Sequence, residues 1–107
     1  PTSILGYKYL KYAIEVVYGN PSMLEAVTKS LYPEIASHFH SSPSRVERAI
    51  RNAVEVAWTR GDLDAQSRIF GFSISNVRGK PTNSEFIGGI VEYLRLEDFN
   101  DACITRH

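Results

Sequence analysis

Arginine and glutamate side chains recur at helical spacing between residues 44 and 55 of the chain. Glu47 and Arg48 follow Ser44 by three and four residues, and Arg51 follows Arg48 by three, so one face of an α-helix would carry all of them. An arginine guanidinium donates to both O6 and N7 of guanine, and a glutamate accepts a hydrogen bond from the cytosine N4 amine. Because a glutamate makes no favourable contact with phosphate, an acid among arginines indicates base readout in the major groove of DNA.

Polar residues that suit phosphate surround this face. Serine hydroxyls, basic and amide side chains and the free N–H groups of a helix start all bind DNA phosphates, and the candidates are Ser42, Ser44, Arg45, Asn52 and Lys80. Arg78, close to Lys80 in a predicted loop, is a further candidate. The alternative for the loop is simple exposure to solvent. The alternative for the helix is a solvated surface in which Glu47 and Arg51 form an i,i+4 ion pair.

The elements that would position these side chains match a helix-turn-helix over about residues 33–60. A short helix is predicted over residues 33–39, a polar stop over residues 40–42, and a long helix over residues 43–60. In this motif the second helix lies in the major groove. Pro43 suits the first helical position after a Ser42 cap, or Ser44 caps the helix with Glu47 three residues on.

Packing of the two helices demands a small residue at their crossing and apolar residues around it. The residues that meet these requirements are Ile35, Ala36, Phe39, Val46, Ala49 and Ile50. Two positions depart from the usual pattern. His40 stands where the turn usually has a glycine, so it is expected to adopt a left-handed conformation. Ser41 stands where an apolar residue is usual.

The whole chain is predicted to be a single all-α domain of about six helices. The other helices are expected over about residues 5–18, from residue 21 through residue 31 after an Asn20 cap, over residues 63–70 after an Asp62 cap, and from a capping box at residues 82–85 to about residue 96. Residues 72–80 are predicted to be extended or turn, and the residues after Leu96 a frayed tail. Trp58 is expected in the core.

Charge and composition exclude several classes of protein. Twelve Lys/Arg balance twelve Asp/Glu, but residues 1–60 carry a surplus of two positive charges and residues 61–107 a surplus of two negative charges.

No window approaches the roughly 18 apolar residues of a membrane span, and no signal peptide is apparent. The single cysteine, Cys103, suits a reducing compartment, so a cytoplasmic location is expected. Because the chain starts without Met, we expect a domain cut from a longer protein.

Enzymatic chemistry is not expected. The sequence shows no Ser-His-Asp arrangement, Gly-rich phosphate loop or cluster of metal ligands. His38 and His40 are two residues apart and would not face each other on a helix, and capping explains Asp62 and Asp64 better than paired catalytic carboxylates do. No metal or cofactor is therefore predicted.

Several stretches of the sequence resemble one family. The main ones are SRVERAIRNAVEVAW at residues 44–58 and KPTNSEFI at residues 80–87, with support from LYPEIA at residues 31–36 and LRLE at residues 94–97. They are similar to the C-terminal effector domain of the master sporulation response regulator of endospore-forming bacteria. The resemblance covers nearly the whole chain, but the chain departs from the family in its first ten residues and in the tail after Glu97. It implies an all-helical domain with a central helix-turn-helix, which follows a phosphorylatable receiver domain absent from this chain.

The resemblance also implies partners. Family members activate and repress promoters by binding a box resembling TGTCGAA, with two copies head to tail on tandem boxes. The implied base contacts are Glu47, Arg48 and Arg51, the residues that spacing already favours. The region from about residue 61 to residue 70 would face the RNA polymerase sigma factor, and its candidate contacts are Asp64, Gln66 and Arg68.

A second class of function is a helical protein–protein interaction module without DNA binding. It would use the acidic C-terminal half or the last helix, where Gly88 and Gly89 either allow close helix packing or form a partner surface. Such a module would show no salt-dependent affinity for DNA.

Overall fold

The computed structural model describes residues 2–71 and 79–105, with side chains from residue 4 to residue 71 and from residue 79 to residue 102. Within these residues there is no strand, and the α-helices are α1 (Thr2–Gly19), α2 (Tyr32–Phe39), α3 (Pro43–Arg60), α4 (Leu63–Phe70) and α5 (Asn83–Thr105). The all-α prediction is confirmed, with five α-helices in place of about six. The predicted extended segment falls largely on residues 72–78, outside the described residues.

The connection between α1 and α2 differs from the single helix predicted there. It consists of a 3₁₀ helix (Pro21–Ala26) and a π-helical turn (Val27–Leu31) that runs directly into α2. Asn20 occupies the cap position, but its side chain caps no backbone N–H and instead accepts a hydrogen bond from Ser22 Oγ at 2.6 Å. Asn20 stands at the predicted cap position, but the predicted hydrogen bond from a backbone N–H to its side chain does not form, because the Ser22 hydroxyl donates to that side-chain oxygen instead.

Helix α3 passes through the centre of the core. Its Val46, Ile50 and Val54 are buried among apolar side chains of the other helices. Helix α1 crosses α3 very closely, because a Cβ added at Gly6 would fall on the Ala49 carbonyl oxygen and within 3.0 Å of Ala53 Cβ. The close crossing depends on the absence of a side chain at Gly6.

Helices α3, α4 and α5 meet around aromatic side chains. The ring of Trp58 lies 5.4 Å from that of Phe70 in an edge-on arrangement, and its indole N–H donates to the Gly79 carbonyl. Trp58 is half-buried and packs against the edge of the core rather than inside it. A Cβ at Gly89 would fall on the Phe70 ring, and one at Gly88 would lie 2.8 Å from Leu24 Cδ2. The glycine pair therefore serves helix packing, as the first of its two interpretations predicted.

Helix α5 begins as predicted and ends later. Thr82 N–H donates to Glu85 Oε1 at 2.9 Å and Glu85 N–H donates to Thr82 Oγ1 at 3.2 Å, which confirms the capping box. The predicted frayed tail after Leu96 is wrong, since the helix continues to Thr105. Residues 97–105 contain no glycine or proline that would stop it.

Side chains in the second half of α5 also attach it to the last turn of α1. The Arg95 guanidinium donates to the Tyr18 carbonyl and lies 4.7 Å from the centre of the Tyr18 ring. The Tyr18 hydroxyl donates to Asp98. These tertiary contacts hold the helix beyond the point where its apolar periodicity weakens. No helix of the described part of the chain is both long enough and apolar enough to cross a membrane.

Candidate nucleic-acid interface

The turn between α2 and α3 has the geometry that the sequence predicted. His40 adopts the left-handed conformation (φ 55°, ψ 48°). Its backbone N–H and that of Ser41 both donate to the Ala36 carbonyl, the second at 2.8 Å. Ser42 is extended and its hydroxyl accepts a hydrogen bond from Arg45 N–H at 3.4 Å, so Ser42 rather than Ser44 is the cap of α3.

The residues predicted to pack the two helices together lie in the core or against it. Ile35, Val46 and Ile50 are fully buried, and Ala36 and Ala49 nearly so. Phe39 is half-buried and contacts the rings of Tyr9 and Tyr12 edge-on. The helix-turn-helix packing is confirmed, and it turns the opposite face of α3 outward.

That outward face carries the predicted base-reading side chains. Arg48 and Arg51 are exposed and Glu47 is half-buried. Arg51 Nη1 lies 3.4 Å from Glu47 Oε1, so the i,i+4 ion pair considered as an alternative does form. An ion pair this exposed contributes little to stability, so Arg51 can exchange its partner for a base at small cost. The ion pair between Glu47 and Arg51 is therefore compatible with a role of Arg51 in contacting a base.

The predicted phosphate-binding side chains border the same face. Ser44, Arg45 and Asn52 are exposed on α3, and together with Arg48 they line a groove that also reaches His40 and Ser41. Ser42 is half-buried at the cap. The structure thus brings the turn, the start of α3 and two further turns of that helix onto one polar surface.

Lys80 joins this surface from a distant part of the chain. Its Nζ lies 3.4 Å from Glu55 Oε2 on α3. A groove of about 600 Å³ separates α3 from residues 80–84, and Glu47 and Arg51 are among its lining residues. The sequence contains no signal for the pair between Lys80 and Glu55, because nothing local relates two residues 25 positions apart. Arg78 lies outside the described residues.

Sequence reasoning missed the tertiary contacts of Asn83, whose side chain reaches the backbone of α3 at Glu47. Asn83 Nδ2 donates to the Tyr32 hydroxyl at 3.0 Å and to the Glu47 carbonyl at 3.3 Å. Burial raises the pKa of Tyr32, and the hydrogen bond from Asn83 acts in the opposite direction. The capping box indicated that Asn83 begins a helix, but it carried no information about the helices that Asn83 contacts.

The residues implied to face a sigma factor lie on α4. Asp64 and Arg68 are exposed, and the Asp64 N–H donates to the capping Asp62 carboxylate at 2.8 Å. Gln66 departs from the expectation of free exposure, because it is half-buried and its amide donates to the Trp58 carbonyl at 2.7 Å. Its side chain ties the start of α4 to the end of α3.

Other polar candidates are engaged in packing. The His38 ring stacks on the Tyr12 ring at 4.1 Å, and the Tyr12 hydroxyl donates to Glu34 at 2.8 Å. Among the residues that the structure describes, no group of three His, Cys, Asp or Glu could hold a metal ion. The side chain of Cys103 lies outside the described residues.

The inner face of the helix-turn-helix is buried, and the outer face of its second helix presents arginines. This combination defines a DNA-binding domain. The family model for the C-terminal domain of the sporulation initiation factor Spo0A matches residues 1–94. The chain belongs to this family, a family of sporulation DNA-binding domains rather than of enzymes. The match confirms the resemblance seen in the sequence motifs and extends it over the first ten residues, where a departure from the family was expected. Residues 95–107 lie beyond the match, and they include most of the LRLE stretch.

Proposed function

We propose that this domain reads a box resembling TGTCGAA in the major groove through Glu47, Arg48 and Arg51. One observation carries the proposal: these three side chains occupy the outward face of α3, whose opposite face is locked into the core. Arginine matches the two acceptors of guanine, and glutamate matches the amine of cytosine. The proposed box contains both bases.

Contacts to the DNA backbone would set the register of α3 in the groove. We assign them to Ser42, Ser44, Arg45, Asn52 and Lys80, which border the base-reading face. The positive end of the helix dipole at the start of α3 adds a favourable site for a phosphate. Lys80 would exchange Glu55 for a phosphate, a small cost for a pair that is about half exposed on both sides.

The proposal extends to a response regulator that both activates and represses promoters. Phosphorylation of a receiver domain in the parent protein would pair two chains, and two copies would then occupy tandem boxes head to tail. Linking two weak sites raises the effective concentration of the second, so the pair binds more tightly than either copy alone. On α4, the exposed Asp64 and Arg68 would meet a sigma factor, while Gln66 would hold α4 against α3.

A salt titration of DNA binding tests the proposal. Binding of the chain to a duplex with one TGTCGAA box would be measured by fluorescence anisotropy beside a duplex with the box scrambled. We expect tighter binding to the intact box at every salt concentration, and affinity for both duplexes that falls as salt rises because counterions are released. Equal affinity for both duplexes would contradict the base-reading assignment. Binding to neither would favour the protein-interaction module.

A further inference from the structure

We propose that Asn83 is a positioning residue for base reading, because its side-chain amide fixes the turn of α3 that carries Glu47 and Arg51. The inference rests on the proposed function and adds to it a residue that need not touch DNA. Asn83 is the first residue of α5, 36 positions away from Glu47 in the sequence. Its amide connects three helices at one point.

The two hydrogen bonds of Asn83 use distinct acceptors on different helices. One goes to the hydroxyl of Tyr32, the first residue of α2, and the other goes to the Glu47 carbonyl of α3. In an α-helix the carbonyl of residue 47 already accepts from the N–H of residue 51. A carbonyl oxygen has two lone pairs, so Asn83 takes the second one. The hydrogen bond from Asn83 is therefore made to the helical turn that carries both Glu47 and Arg51.

The neighbours of Asn83 leave the amide little freedom. The capping box between Thr82 and Glu85 fixes the backbone at the start of α5, one residue before and two residues after Asn83. Tyr32 is only 6% exposed, so its hydroxyl is held in place by the packing of its ring. Because the donor and both acceptors are held in place, the two hydrogen bonds fix the start of α5 against α2 and α3.

Apolar packing alone does not supply this control. The buried face of α3 fixes which side of the helix points outward, but the attraction between apolar groups is itself non-directional. A hydrogen bond prefers a nearly linear donor angle and weakens steeply when that angle falls below about 120°. Base readout requires placement to within about 0.5 Å, so a directional hydrogen bond beside Glu47 and Arg51 refines the rotation of α3 that its buried face sets.

Two variants test the role, and a third is their control. Asn83→Ala removes both hydrogen bonds, whereas Tyr32→Phe removes one and keeps the packing of the ring. Tyr18→Phe is the matched control, because it also deletes one tyrosine hydroxyl that bonds to α5, at Asp98, about four helical turns away from Asn83. Each variant and the wild-type chain would be titrated with the intact and the scrambled box duplex at several salt concentrations.

A positioning role changes the ratio of the two affinities. We expect Asn83→Ala to lower the preference for the intact box by about three- to tenfold, with the affinity for the scrambled duplex and its salt dependence unchanged. Tyr32→Phe should lower the preference less, and Tyr18→Phe should leave it unchanged. A merely structural role would lower both affinities by the same factor, because an unfolded fraction reduces the amount of protein that can bind either duplex.

The outcomes separate this inference from the proposed function. Wild-type discrimination that persists in full in Asn83→Ala and in Tyr32→Phe would overturn the positioning role alone. Equal losses on both duplexes in Asn83→Ala, with no change of preference in Tyr32→Phe, would also overturn it and assign Asn83 to stability. A wild-type chain that does not discriminate would overturn the proposed function, and the positioning role with it.

Discussion

Arg48 and Arg51 lie one turn apart on α3 but have different surroundings. Arg51 is paired with Glu47, whereas Arg48 lines the groove that reaches the turn at His40. We expect Arg48→Ala and Arg51→Ala each to weaken binding to the intact box by about 1–3 kcal/mol and to relax specificity at one base position. Binding to duplexes with single base changes, measured by fluorescence anisotropy, checks this.

Arg60→Ala is the control for these two substitutions. Arg60 is an exposed arginine at the end of the same helix, outside the proposed DNA surface. Its loss removes one positive charge without removing a base contact. If Arg60→Ala relaxed specificity as much as the other two variants, charge rather than base readout would explain the loss.

His40 tests the cost of the tight turn at the scale of one residue. Its left-handed backbone places Cβ near the following carbonyl oxygen, a strain that glycine avoids. We expect His40→Gly to raise the free energy of unfolding by about 0.5–1 kcal/mol, measured by urea denaturation. His40→Ala keeps the Cβ and should give no such gain. An equal gain in both variants would show that removal of the imidazole ring, and not relief of backbone strain, raises the free energy of unfolding.

Local chemistry explains which residues could be predicted. The left-handed His40, the Ser42 cap and the capping box at residues 82–85 are each specified within a few neighbouring positions. The roles of Asn83 and Lys80 depend on contacts across 25 to 51 sequence positions. Residue types alone do not specify such contacts, since they arise only when α5 packs beside α3.

At the scale of elements, helices with strong stop and start signals were predicted with their observed bounds. Ser42, Pro43 and Gly61 delimit α3, and Asp62 and Gly71 delimit α4. The other elements depend on tertiary contacts. The 3₁₀ and π-helical segments before α2 and the continuation of α5 past Leu96 have no distinct periodic signature, so the sequence predicted a plain helix and a frayed tail there.

The crossing of α1 and α3 gives a prediction at this scale. We expect Gly6→Ala to lower the free energy of unfolding by about 1–3 kcal/mol, because the new methyl group would press on the α3 backbone at Ala49. The gain in helix propensity, about 1 kcal/mol, would offset only part of this cost. Chemical denaturation followed by circular dichroism measures the change.

Gly19→Ala is the matched control for Gly6→Ala. Gly19 ends the same helix, and a Cβ added there would meet no atom within 4 Å. The control should be neutral or slightly stabilising. Loss of stability in both variants alike would show that the close crossing is not the cause.

At the scale of the whole molecule, the zero net charge makes the placement of charge decisive. The positive surplus lies in residues 1–60, which contain α3 and the turn before it. Long-range attraction to DNA is weak for a neutral chain. Affinity should therefore come chiefly from contacts within the base-reading face and its border, and the preference for the intact box should persist as salt rises.

Stability should decline at alkaline pH because of the tyrosines that tie helices together. Burial raises the pKa of Tyr32 above its ordinary value of 10.0. A raised pKa in the folded state means that its contribution is complete below the unfolded pKa and is lost as the pH rises through the folded pKa. The free energy of unfolding should thus fall above about pH 10, and Tyr32→Phe should make that fall shallower.

Urea denaturation of the wild-type chain and of Tyr32→Phe across this pH range checks the prediction. Hydrogen bonds to Glu34 and Asp98 raise the pKa values of Tyr12 and Tyr18 as well, so some alkaline loss should remain in the variant. Identical slopes in the two proteins would show that Tyr32 ionises in the folded state as freely as in the unfolded chain.

The most direct test of the central claim removes the guanine N7 acceptor from the DNA. Replacing single guanines of the TGTCGAA box by 7-deazaguanine deletes one major-groove acceptor and leaves phosphates and base pairing intact. We expect the affinity of the wild-type chain to fall at the contacted guanines, and Arg48→Ala and Arg51→Ala each to become insensitive to one of these replacements. Unchanged wild-type affinity at every guanine would contradict major-groove readout by the arginines of α3.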